Sequence, residues 1–203
     1  MISLQKRFLF VHIPKTAGNS VQTALRDYSE DELVAVRNEQ DGVERFGLRN
    51  PKYNLKKHSM LGEYRAALGD DQFREFHKFT CVRNPWDRMV SFYFTPTQAP
   101  DIWDRKKFRR TISKAVPAVD YLRLERNERD PFANVDHIMR FENLDADFRA
   151  VCERLEIPAV TLPHYNRSNR QHYSKYYDHE LRELVRRRFA AEIERFGYRF
   201  EEE

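Results

Sequence analysis

The run "RFLFVHI", residues 7–13, is apolar almost without a break and stops at a turn, "PKTAGNS". A strand of this kind has to be covered on both faces, which predicts a buried member of a parallel sheet. The residues after the turn, "NSVQTALRDY", set Val21, Ala24, Leu25 and Tyr28 at helical spacing, with Asn19 or Ser20 able to cap. Strand, tight loop and helix together open an α/β unit.

The same grammar returns downstream. "KFTCVRNPWDRMVSFYF" (78–94) runs a short strand, Phe79 to Val82, into Arg83, with Asn84 as cap and Pro85 at the first helical position. "HIMRFENL" (137–144) is a third strand, and its helix aligns Leu144, Phe148, Val151, Cys152 and Leu155. One last helix, "HELRELVRRRFAAEIERFG", keeps Leu181, Val185, Phe189 and Ile193 in register and stops at Gly197. Strands alternating with helices predict an α/β fold with a mainly parallel central sheet flanked by helices. Ligands in such sheets bind beyond the C-terminal strand ends, so loops 12–20, 83–91 and 141–145 are expected to converge.

The remaining segments say less. Residues 31–57 read as a loop-rich excursion with one short strand, and 58–69 as a short helix stopped by Gly69. Around 95–135, prolines at 96, 100 and 117 and the basic knot "RKKFRR" suggest an inserted helical segment. A length of 203 residues suits a single domain, 1–203, with a real core. Cys81 and Cys152 lie in apolar runs and read as buried free thiols, with no zinc spacing. The apolar run before Pro14 is too short for a secretory leader and no stretch is long enough to span a bilayer, so the expected location is cytoplasmic. A balance of 36 basic against 32 acidic residues permits an anionic ligand without demanding nucleic acid.

Lys15, Thr16, Gly18 and Ser20 sit where α/β proteins hold phosphates, yet the spelling G-x-x-x-x-G-K-[ST] is absent. Gly18 would let backbone approach closely, the amides of Ala17 to Ser20 would open a helix, and Lys15 would add a full charge. An ordinary strand-to-helix turn with an exposed lysine fits the same residues. Arg83 and Ser91, eight positions apart, could flank one phosphate from two sides. Equally, Arg83 could pair with Asp87 while Ser91 packs. His58, after "LKK", can take a proton from a hydroxyl; His12, His137 and His164 compete for that role. The cluster "DRKKFRRTISK", with Arg88 counted alongside it, could face an anionic glycan or simply solvent. Trp103 and Tyr121, with the tyrosines at 173, 176 and 177, could stack on sugar rings or belong to the core.

Taken in order, "FVHIPKTAGNSV", "CVRNPWDRMVSFY", "RFENLDADF", "LPHYNRSNRQHYSKYY" and "FGYRF" resemble the sulfotransferases that use 3′-phosphoadenosine 5′-phosphosulfate (PAPS). The likeness is to the carbohydrate type that includes heparan sulfate 2-O-sulfotransferases. It implies a P-loop-like three-layer α/β fold, with PAPS as donor co-substrate, PAP as product and no metal. It matches Lys15, Thr16, Ala17, Gly18, Asn19 and Ser20 to the loop gripping the 5′-phosphosulfate. Arg83 and Ser91 match the pair on the 3′-phosphate, and Asn166, Ser168 and Arg170 a late loop closing over the nucleotide. His58 takes roughly the place of the catalytic base, with Lys15 beside the breaking bond. The implied acceptor is a hydroxyl, on a carbohydrate or glycolipid, with no nucleic acid and no membrane span. Two other readings compete: a small-molecule kinase on a related fold, and a non-catalytic polyanion-binding protein using 104–114.

Overall fold

A computed structural model describes residues 1–35, 46–94, 103–158, 161–162 and 170–202. In chain order, β1 (Ile2–Ser3) and β2 (Phe8–Val11) lead through the 12–17 loop into α1 (Gly18–Ala24). Next come β3 (Glu32–Ala35) and β4 (Phe46–Arg49), then α2 (Leu61–Leu68) and α3 (Asp70–Glu75). After β5 (His77–Val82) follow α4 (Pro85–Tyr93), α5 (Arg105–Lys114) and α6 (Ala118–Leu122). The last elements are β6 (His137–Arg140), α7 (Leu144–Arg154), α8 (His179–Arg188) and α9 (Ala190–Phe196).

The central sheet has the order β1-β2-β5-β6. β2 and β6 both run parallel to β5, and the short β1 is antiparallel to β2. Val11 stands opposite Thr80 and Val82 opposite Arg140, so the loops leaving β2, β5 and β6 open on one edge. Alternation along the strands fills two separate cores. Phe8, Phe10, Phe79, Cys81 and Met139 meet Val21 of α1 and Phe148 of α7 on one face. Leu9, Val11 and Val82 meet α2, α4, α5 and α8 on the other. Helices therefore cover both faces, as the unbroken apolar run requires. Both cysteines are free and buried. Among the described residues no helix is long and apolar enough to cross a membrane.

Three details depart from expectation. Within 31–57 there are two strands, β3 and β4, paired antiparallel in a sheet of their own. The last helix breaks at Phe189, where φ is −113°, and the second segment buries Glu192, which a single straight helix read from its apolar register would not have flagged. α1 is capped by neither Asn19 nor Ser20: its N-cap is Ala17, in the left-handed region and without a side-chain cap bond. By contrast Asn84 does cap α4, accepting from the Trp86 amide at 3.1 Å, with Pro85 following it.

Candidate active site

The loop after β2 carries unusual backbone. Lys15 and Ala17 hold φ of 70° and 69°, a left-handed conformation that costs an L-residue roughly 1–2 kcal/mol. Three contacts compensate by fixing successive carbonyls. Thr16 Oγ1 donates to the Ile13 carbonyl at 2.8 Å, Arg88 Nε to that of Pro14 at 3.0 Å, and Arg83 Nη1 to that of Lys15 at 3.2 Å. Thr16 is thus fully buried and its hydroxyl is committed to the loop itself rather than turned to a ligand. Ser20 is buried as well, while Asn19 and Lys15 are half-buried.

Gly18 is needed for a reason the sequence did not show. A Cβ there would stand 2.0 Å from Cδ2 of His12, so the space a side chain would take is occupied by an imidazole. His12 is buried, hydrogen-bonds Gln22 through Nδ1 at 2.9 Å, and is held neutral chiefly by burial, with His58 adding to the effect.

His58 packs edge-on against His12, with ring centroids 4.4 Å apart. Its Nδ1 lies 2.9 Å from the His12 carbonyl. A carbonyl only accepts, so Nδ1 carries the proton and Nε2 of the neutral ring keeps its lone pair. His58 as a residue is exposed. Its pKa is lowered, mainly by burial; the bond to His12 opposes the shift and the charges of Lys57, the N-terminus and Arg88 add to it. The turn is closed by Ser59, whose amide donates to the Lys56 carbonyl at 3.0 Å and whose Oγ accepts from the Lys56 amide at 3.0 Å. Lys57, within this turn, is brought down to about 8 by burial and by the ammonium of Lys15.

The second loop is built differently. Arg83 Nε donates to Asp87 Oδ2 at 2.7 Å, and Arg170 Nη2 reaches Asp87 Oδ1 at 2.5 Å. Burial pushes the Asp87 carboxyl up, but the two guanidiniums outweigh it and the net shift is downward. The Arg83 guanidinium also lies 3.8 Å above the Phe141 ring. Glu142 Oε1 accepts from the Asn84 amide at 2.6 Å, so the loop after β6 supports the loop after β5. The C-terminal tail braces the same corner: Asn84 Nδ2 donates to the Arg199 carbonyl at 3.0 Å, and Phe200 meets Trp86 edge-on. Ser91 stands half-exposed on α4, roughly 10 Å beyond the cap at 1.5 Å per residue.

Lys15, His58 and Arg83 are therefore brought to one loop cluster, and Arg170 joins it through Asp87. Asn166 and Ser168 lie outside the described residues. Arg88 does not belong to the surface cluster it was counted with, because it is buried beneath the loop with only 2% exposure. The cluster itself divides. Arg105 and Arg109 face Asp178 and Glu180, whereas Lys107, Arg110 and Lys114 line a groove of about 470 Å³ with Phe92, Tyr93 and Tyr121. Tyr121 and Tyr173 are buried, and Tyr177 donates to the Trp86 carbonyl at 2.8 Å. Sequence reasoning passed over Lys57, Phe141 and Glu142. Lys57 left a signal as the second lysine of "LKKH", and Phe141 and Glu142 fall within the 141–145 loop expected to converge, though no role was expected of their side chains.

Among the described residues no group of histidine, cysteine, aspartate or glutamate is arranged to hold a metal ion. The sequence model described as "Sulfotransferase family" matches residues 1–199. No curated protein and no solved structure matches the chain.

Proposed function

The chain belongs to the sulfotransferase family, and we propose that it moves the sulfuryl group of PAPS to a hydroxyl of a carbohydrate acceptor. The observation that carries this reading is the tautomer of His58: Nδ1 is tied to the carbonyl that begins the donor loop, which leaves Nε2 as a base at the mouth of that loop. Nε2 takes the acceptor proton while the acceptor oxygen attacks sulfur. The bond from sulfur to the 5′-phosphate oxygen breaks, and PAP leaves with the electron pair. Lys15 and the loop amides neutralise the charge that gathers on the leaving phosphate. With the carbonyls of Ile13, Pro14 and Lys15 engaged by the protein, the loop keeps an excess of donors for an anion. Arg83, Ser91 and Arg170 serve the 3′-phosphate end.

The groove walled by Lys107, Arg110 and Lys114, with Phe92 at its side, supports a polar acceptor such as a sugar, since it gathers hydrogen-bond donors beside an aromatic ring. No metal is called on, because the lysines and loop supply the charge that Mg²⁺ supplies to a triphosphate. Calorimetry with PAP in metal-free buffer tests the donor assignment. Binding heat and a raised melting temperature are expected; neither effect at millimolar PAP would overturn it. Magnesium-dependent ATP turnover would favour a kinase instead.

A further inference from the structure

Arg88 is a full-length arginine with almost no exposure, and the steps proposed above do not use it. It rises from α4 into the space under the 12–17 loop. Nε donates to the Pro14 carbonyl at 3.0 Å and Nη2 to the Val116 carbonyl at 3.0 Å, while Nη1 lies 3.8 Å from Oε1 of Glu192. The guanidinium also sits 5.9 Å from the Phe189 ring. Glu192 is equally hidden. Its Oε1 accepts from the Ala118 amide, and among the described residues its buried Oε2 makes no hydrogen bond of ordinary geometry. A buried charge pair of this kind is expensive to keep and contributes little net stability, so its retention at this place asks for a reason beyond stability.

The reason is what the guanidinium holds. Pro14 precedes Lys15, which sits at positive φ. A carbonyl fixed there fixes the plane of the Pro14–Lys15 peptide and with it the direction in which Lys15 leaves the loop. We propose that Arg88 is a positioning residue for sulfuryl transfer, held in place by Glu192, and that this pair sets the conformation of the donor loop from below. The inference rests on the donor reading only for its consequence, not for its geometry.

The charges around the pair make it sensitive to pH. Glu192 faces Arg88 from α4, Asp120 from α6 and the amides of Ala118 and Val119; Arg88 in turn feels Arg83 and Tyr121. Burial raises Glu192 to about 7, against the pull of Arg88. The carboxylate therefore forms as pH rises through neutrality, and the hold on Arg88 tightens as it does.

Hydrogen exchange of the peptide spanning 12–20, corrected for intrinsic rates, reads the loop without any donor present. Glu192→Gln keeps size and an acceptor for the Ala118 amide but removes the charge. Arg88→Lys keeps the charge but cannot span both carbonyls. In either variant loop exchange is expected to quicken on the order of tenfold, the weight of one charge-assisted hydrogen bond, with α7 unchanged. Wild-type loop protection is expected to rise between about pH 6 and 8, and Glu192→Gln to be flat over that range. The dissociation constant for PAP should rise in parallel, by about tenfold in Arg88→Lys. Loop exchange equal to wild type in Glu192→Gln, or a quickening spread evenly through α7, would overturn the proposal. A wild type that binds no PAP would instead sink the donor reading, and the exchange data would still judge Arg88.

Discussion

The two ends of the site solve opposite problems. At the 12–20 loop two cations are neighbours: Lys57 feels the ammonium of Lys15, and Lys57 also acts on His58. At the 83–91 loop two arginines share a carboxylate, Asp87. The first end brings two ammonium groups close enough to repel each other. The second is neutralised in part beforehand, and its guanidiniums are held rigid by Asp87 and by the Phe141 face. The difference teaches where to expect chemistry and where to expect grip. Like charges gathered beside a base suit the bond that breaks, whereas a preorganised arginine pair suits a phosphate that stays intact.

Substitutions can break this comparison. His58→Ala should cut kcat by about 10²–10⁴-fold while PAP still binds, because it removes the base and leaves the grip. Wild-type kcat should decline with acidification only at a pH below that of an ordinary histidine, since burial lowers the pKa of His58. An acid limb above pH 7 would assign the base elsewhere. Lys15→Met should cost about 10²–10³-fold in kcat, measured in single-turnover assays. Arg83→Ala should act mainly on affinity, weakening PAP by roughly 10–100-fold in calorimetry with a smaller effect on the saturated rate. Equal losses of kcat from Lys15→Met and Arg83→Ala would erase the distinction between the two ends. The smallest effect is structural: Gly18→Ala should lower stability by about 1–3 kcal/mol in urea unfolding, because its methyl meets the His12 ring.

Local pattern made the scaffold legible. Strand ends at Val11, Val82 and Arg140 follow from apolar runs meeting Pro or polar residues, and Asn84–Pro85 declares its helix openly. What stayed hidden depends on long-range packing. No residue near Gly18 announces that His12 will fill the space above it. Nothing in "RNPWDRMVS" says that Arg88 turns inward while Arg83 stays at the rim, because both are arginines on one short motif. The cap at Ala17 is hidden for the same reason: the backbone before it is held by Arg83 just past β5, by Arg88 of α4 and by Thr16 of the loop itself, not by its own sequence preference. Glu192 reads as a solvent-facing member of a charged helix until the break at Phe189 is known.

The central claim is that the two loops hold PAPS and that His58 takes the proton of a sugar hydroxyl as its oxygen attacks the sulfur. Transfer of ³⁵S from labelled PAPS to a panel of oligosaccharides and glycolipids, in chelator and without added metal, tests it most directly. The account predicts label on at least one glycan with wild-type protein and at least about a hundredfold slower labelling with His58→Ala. Undiminished transfer by His58→Ala, or labelling of no glycan by a wild type that binds PAP, would contradict it.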